Sequence, residues 1–199
     1  MSTVSVPAIP GAWLAALRPG GRLVTAITGT GLILYADKTA DGGAVGRTAY
    51  EPASFMSVRH DEDYERTVPE TLWTEAENGG GETSVSRHLL VYVPETWSIR
   101  SMLQLHTPGI EHRHRLRRDD RGHTVWMAHP DGSWARAHAT YPFEPATVHQ
   151  GGPRRLRDPL EDVLDRINWT GQLPVYGARV TVTPDGTTTL TRDGWTATL

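Results

Sequence analysis

Hydrophobic and polar positions along this chain switch between a helical and an alternating spacing, and each switch marks an element. Ala12 to Leu17 is a short apolar stretch that reads as a helix. It runs into Pro19-Gly20-Gly21, where proline presets a turn and glycine supplies the left-handed conformation that ends a helix. Arg22 to Ile27 is then half-alternating and β-branched, which predicts a strand. Thr28-Gly29-Thr30-Gly31 separates it from strand-like Leu32-Ile33-Leu34-Tyr35 and reads as a hairpin turn. A glycine-rich loop from Ala40 to Gly46 precedes a short strand from Arg47 to Glu51.

Residues 70–76 predict one or two helical turns, ended by Asn78-Gly79-Gly80-Gly81, the most linker-like spot in the chain. Val85 to Val93 reads as a strand, and Trp97, Met102 and Leu105 share one helical face. Three hairpins follow from turn chemistry, at Asp119 to Gly122, His129-Pro130-Asp131-Gly132 and Thr183-Pro184-Asp185-Gly186. Between the last two lies the strongest helix. Asp158 suits its N-cap, with Pro159 at the first position and Glu161 at the third; Leu160, Val163, Leu164 and Ile167 recur at helical spacing, and Gly171 stands where a terminating glycine belongs.

Composition narrows the classes. With 199 residues, 38% hydrophobic and 22% charged, the chain suits one domain with an appended subdomain, and the 20 Gly and 14 Pro imply many turns. A net charge of −3 gives no argument for nucleic acid or an anionic membrane, and zero cysteines exclude disulfides and thiolate chemistry. No apolar run approaches a membrane span and no signal pattern opens the chain, so a cytoplasmic protein is expected. Lys38 is the sole lysine and every other basic residue counted is arginine, as a GC-rich coding bias produces. Arginine clusters are therefore weak signals here.

Several groups still invite chemistry. Gly29-x-Gly31 has no third glycine and leads into a strand rather than a helix, so a hairpin is favoured over a nucleotide turn. His112 and His114 share one strand face, as two metal ligands can, but no third ligand is identifiable and no metal is expected. Arg113, Arg115 and Arg117 line the opposite face, a stripe that can hold an acidic peptide through charge-assisted bonds or simply face water. Asp61, Glu62, Asp63 and Glu65 around Tyr64 read as a solvated loop, and the tryptophans as core packing in a chain with two phenylalanines.

One wording is more specific. Leu17-Arg18-Pro19-Gly20-Gly21-Arg22-Leu23-Val24 resembles the segment before the fifth strand of Rossmann-like S-adenosylmethionine methyltransferases, in particular the protein-L-isoaspartate O-methyltransferase branch. Val4 to Pro10 resembles the end of that family's fourth strand and its loop. Gly132 to Ala137, Val148 to Leu156 and Pro174 to Gly186 resemble the tail of the subgroup that accompanies ATP-grasp enzymes in ribosomal-peptide maturation. Where those relatives usually carry Trp, this chain has Arg157, which suggests altered packing.

The resemblance implies a fold that is α/β to α+β. Residues 1–40 would be the end of a Rossmann-like domain, and 41–199 a mostly antiparallel subdomain with one or two helices. It implies methyl transfer from S-adenosylmethionine to a peptide aspartyl carboxylate, with Ser5, Val6 and Pro7 beside the acceptor; a plain strand-to-helix loop is the ordinary reading of those three. The family's glycine-rich donor turn is not in the chain, so no cofactor is expected for it alone and it should be inactive by itself. The implied partners are an acidic precursor peptide, an ATP-grasp enzyme or a complementing methyltransferase half. The alternatives are an accessory peptide-binding module or a non-functional remnant. In a half-enzyme, the strand Arg22 to Ile27 is expected to sit in a mostly parallel sheet with one edge unpaired, favouring association through residues 1–35.

Overall fold

The structure is a computed structural model that describes residues 4–53, 55–56, 68–116, 122–141 and 143–199. In chain order it forms β1 (Ser5–Val6), α1 (Gly11–Ala16), β2 (Arg22–Ile27), β3 (Ile33–Lys38), β4 (Ala44–Thr48), α2 (Glu70–Asn78) and β5 (Glu82–Leu89). A short 3-10 turn (Val93–Glu95) leads to α3 (Trp97–His106), β6 (Glu111–Leu116), β7 (His123–Ala128), β8 (Trp134–Ala139) and β9 (Pro145–Gly151). The chain ends with α4 (Arg157–Thr170), β10 (Arg179–Val182), β11 (Thr188–Arg192) and β12 (Trp195–Thr198). The fold is mixed α+β with mostly β content. It divides into two compact units, one of residues 1–63, 100–106 and 172–199, the other of 64–99 and 107–171. The division expected at residue 40 falls inside the first unit, in the turn between β3 and β4, and the glycine run 79–81 falls inside the second. No helix among the described residues is long and apolar enough to cross a membrane.

The first unit is a seven-stranded sheet in the order β1-β2-β3-β4-β10-β11-β12. Only β1 and β2 run parallel, joined through α1, with Ser5 opposite Ala26 and Val6 opposite Ile27. Every other pair is antiparallel, so the mostly parallel sheet expected around Arg22–Ile27 is not what forms. Alternation sorts the faces. Leu23, Thr25, Ile27, Leu34, Ala36, Val180, Val182 and Leu190 are buried on one side, while Arg22, Tyr35, Arg47 and Arg179 are exposed on the other. The single lysine has a structural post: Lys38 Nζ donates to the carbonyls of Leu14 and Leu17, both at 2.7 Å, and so satisfies orphan acceptors at the end of α1.

Those pairings also correct the expected bare edge. β2 is hydrogen-bonded on both sides, by β1 and β3, and Leu23 and Ile27 are buried within the chain. Even β1 is covered on its far side, where the Ser5 N–H donates to the Met56 carbonyl at 2.9 Å. The outer part of the sheet is supplied by the C-terminal strands, through β10 pairing with β4. An interior strand opens only with its neighbours, so the amides of β2 are expected to exchange much more slowly than those of edge strand β12 in a monomeric sample. Equal exchange, or protection only in a dimer, would contradict this pairing.

The second unit is a five-stranded antiparallel sheet in the order β5-β9-β8-β7-β6. One face packs α2: Val68, Leu72, Trp73 and Ala76 close on Trp126, Ala128 and Trp134. Trp134 is 2% exposed and its indole N–H donates to Glu75 at 3.2 Å. The apolar face of the opposite side is Val125, Ala137, Ala139, Ala146 and Val148. Not every tryptophan is core, since Trp169 on α4 is 92% exposed.

The turns follow the sequence. His129–Gly132 joins β7 to β8 and Thr183–Gly186 joins β10 to β11, each closed by backbone hydrogen bonds, with Gly132 and Gly186 at positive φ. The turn at 119–121 lies outside the described residues, although β6 and β7 pair around it. Gly171 ends α4 at φ 76°, its N–H on the Ile167 carbonyl. The start of α4 departs from expectation: the helix begins before Asp158, with Leu156 at the cap position. The cap comes from across a turn, where the buried Gln150 accepts the Arg157 N–H at 2.7 Å and donates to Asp158 at 3.1 Å.

Candidate functional site

The first unit carries a cleft of about 110 Å³, lined by Ser5, Ala26, Ile27, Gly29, Thr30, Ala53, Phe55 and Arg100. It opens at the carboxyl ends of the parallel pair β1 and β2, the place where sheets with parallel strands commonly take ligands. The local fold explains each wall. The β2–β3 hairpin turns through Gly29 at φ 75°, and its Thr30 hydroxyl donates back to the Ile27 carbonyl at 2.8 Å. That hydroxyl also accepts the Leu32 N–H at 3.0 Å, so Thr30 is locked by its own turn. The Gly31 N–H donates to Ser101 of α3 at 3.1 Å, which fixes the hairpin tip against residues 100–106. Gly29 is required there, because a side chain would press on Gln104 at 2.9 Å as well as strain the backbone.

Ser5 sits on the opposite wall, 3% exposed. Its hydroxyl donates to the Phe55 carbonyl at 3.2 Å and accepts from the Thr28 hydroxyl at 3.2 Å. Arg100 supplies the only cation among the cleft's lining residues. Its Nε is buried and has no hydrogen-bond partner among the described residues. A guanidinium N–H kept from water without an acceptor is costly, and an entering anion relieves that cost. The arrangement can therefore hold one carboxylate-sized group, with Arg100 as the charged donor. Of the three residues expected at an acceptor site, Ser5 lines this cleft. Val6 is buried beneath it in β1, and Pro7 is exposed just past the strand.

The arginine stripe is engaged otherwise. Arg113 makes a bidentate pair with Glu70 of α2, both bonds 2.8 Å, and its guanidinium lies 4.3 Å over the Trp73 ring. The bonded Arg113 in turn holds the Glu70 carboxyl below its ordinary range. Arg115 reaches Glu77 at 2.7 Å and lies 5.2 Å over Trp126. Both arginines thus clamp α2 to β6, and Arg117 lies outside the described residues, as do Arg118, Arg121 and the acidic stretch 61–65. On the other strand face, His114 bonds the Tyr92 hydroxyl and packs edge-on against its ring at 4.1 Å between centroids. No group of side chains suited to a metal ion occurs among the described residues.

Sequence reasoning missed Arg100, Thr30 and Phe55. Nothing in the spacing of α3 distinguishes Arg100 from any exposed helical arginine; only its fold-dependent meeting with Ser5 and the hairpin gives it a role. No protein-family model, no curated protein and no solved structure matches this chain.

Proposed function

We propose that the chain is the acceptor-binding part of an S-adenosylmethionine-dependent O-methyltransferase, similar to isoaspartate methyltransferases, acting on a peptide aspartyl carboxylate in ribosomal-peptide maturation. The observation that carries the reading is the cleft at the carboxyl ends of β1 and β2, where a polar wall of Ser5 and Thr30 faces the under-partnered Arg100. The β1-α1-β2 start, with its parallel pair and the Leu17–Val24 wording in its second half, supports a Rossmann-like origin.

The residues present do not fit the methyl donor. Gly29 and Gly31 turn the chain into strand β3 rather than into a helix N-terminus, and a cleft of about 110 Å³ falls well short of the several hundred Å³ such a cofactor occupies. S-adenosylmethionine would supply an electrophilic methyl group from a complementing half. This chain's share is narrower. Arg100 would neutralise and orient the acceptor carboxylate, and Phe55 with the hairpin tip would shield it from water. The partners proposed are an acidic precursor peptide and the complementing methyltransferase half, in the setting of an ATP-grasp maturase.

Calorimetric titration of S-adenosylmethionine into the isolated chain is expected to give no saturable heat. Micromolar or tighter binding would overturn the assignment of donor binding to another polypeptide region.

A further inference from the structure

The exposed face of the seven-stranded sheet carries two cations that the chain leaves unanswered. The strand registers set one row of side chains across it, Val24, Tyr35, Arg47, Arg179, Thr191 and Thr196, each directly opposite the next. Residues so opposed in antiparallel strands share a face, with Cβ atoms about 5 Å apart. Arg47 and Arg179 are therefore immediate neighbours; both are exposed, and neither has a hydrogen bond or ion pair among the described residues. The adjoining row is Arg22, Asp37, Val45, Thr181, Thr189 and Thr198. Its one carboxylate is taken, since Asp37 accepts two bonds from Arg22, at 2.7 and 2.9 Å. Like charges set opposite each other destabilise a strand pair, so the two arginines oppose the β4–β10 pairing rather than support it. The β6 stripe is the contrast, because Arg113 and Arg115 are both neutralised by α2.

A groove of about 450 Å³ runs beside this pair, lined by Arg22, Tyr35, Asp37, Gly46 and Arg47. That volume is in the range of small-molecule sites, and Tyr35, 38% exposed, offers an aromatic surface for stacking. The groove lies toward the Arg22 end of β2, whereas the acceptor cleft lies at the Ile27 end. Charge selects the ligand. Two adjacent guanidiniums are matched by one phosphate monoester, which brings a charge near −2 and three acceptor oxygens; a carboxylate brings half that charge and two oxygens. The net charge of −3 supplies no long-range field to gather a nucleic-acid strand, so a single small ester fits better than a polyanion.

We propose that this groove is a mononucleotide site, with the phosphoryl group on Arg47 and Arg179 and the planar base against Tyr35. It is independent of the acceptor cleft and of the methyltransferase reading. The test is an amide NMR titration of the full chain with adenosine 5′-monophosphate, inorganic phosphate and adenosine, at fixed pH and ionic strength. Saturable shifts at Tyr35, Arg47 and Arg179 are expected with the nucleotide, at a Kd of about 1 mM or tighter. Inorganic phosphate is expected to bind the same residues at least about tenfold more weakly, and adenosine not to saturate. Arg47→Gln and Arg179→Gln should each weaken the nucleotide about tenfold, and both remove an exposed charge without touching the buried face. Tyr35→Leu should weaken the nucleotide several-fold and leave inorganic phosphate unchanged. Nucleotide binding no tighter than that of phosphate would mean an adventitious ion only and overturn the proposal. So would shifts centred on Ser5 and Gly29 instead, an unchanged affinity in a folded Arg47→Gln or Arg179→Gln chain, or no saturable shift at all.

Discussion

Replacing Gly46 by alanine is expected to lower the stability of the first unit by about 3 kcal/mol or more, with a melting temperature reduced by roughly 10 °C. Gly46 lies in the middle of β4, between Ala36 of β3 and Val180 of β10. A Cβ there would drive into the Tyr35 carbonyl oxygen and stand 2.6 Å from the Ala36 Cα. Both obstacles are backbone, so no side-chain rotation relieves them; β3 and β4 must part, and β4 is the strand through which β10–β12 join β1–β3. Gly80→Ala is the control, since a methyl group there meets nothing within 4 Å and the backbone is not left-handed. A Gly46→Ala chain melting within about 2 °C of the parent and the control would show that the β3–β4 pairing is not the one described.

How much of this was legible in the sequence depends on the distance over which each feature is decided. The β2–β3 hairpin, the turns at Gly132 and Gly186 and the end of α4 at Gly171 are settled by neighbouring residues, and each forms where proline, aspartate or glycine chemistry puts it. Strand Arg22–Ile27 is found at its expected bounds for the same reason. The membership of sheets is a different kind of information. Nothing local says that Arg179–Val182 pairs with Ala44–Thr48, because any alternating strand of that length has the same pattern. A subdomain beginning at residue 41 was the natural expectation, yet the last strands return to the first sheet.

The candidate sites divide along the same line. Arg113 and Arg115 were visible as a stripe, but their partners Glu70 and Glu77 are remote in sequence and come close only through α2. A charge pattern shows that a face is cationic; it does not show whether the fold has already neutralised it. Ser5 was legible only through resemblance, and the residue that gives its cleft a charge, Arg100, lies on a helix from another part of the chain. The start of α4 failed as a local reading because the capping group is the side chain of Gln150, seven residues before the helix N–H it accepts.

Arg100 is where the functional proposal is most exposed to test. It is the only cation among the residues lining the cleft, and its buried Nε has no acceptor among the described residues. Arg100→Gln keeps a polar side chain of lesser length while deleting the charge. It is expected to weaken binding of an aspartyl peptide by at least about tenfold, consistent with roughly 1.5 to 3 kcal/mol for a hydrogen bond to a charged group. Folding should be little affected, because Ser5 and Thr30 are held by hydrogen bonds to Phe55, Thr28, Ile27 and Leu32, none of which involves Arg100.

The most direct measurement is an amide NMR titration of the isolated chain with a short peptide containing one aspartate, compared with the same peptide carrying asparagine. Shifts concentrated at Ser5, Gly29, Thr30 and Gly31, present for the aspartyl peptide and lost in Arg100→Gln, are the expected result. Shifts confined to β6 around Arg113 and Arg115, or a response to aspartyl and asparaginyl peptides alike that survives Arg100→Gln, would contradict an acceptor site at the carboxyl ends of β1 and β2.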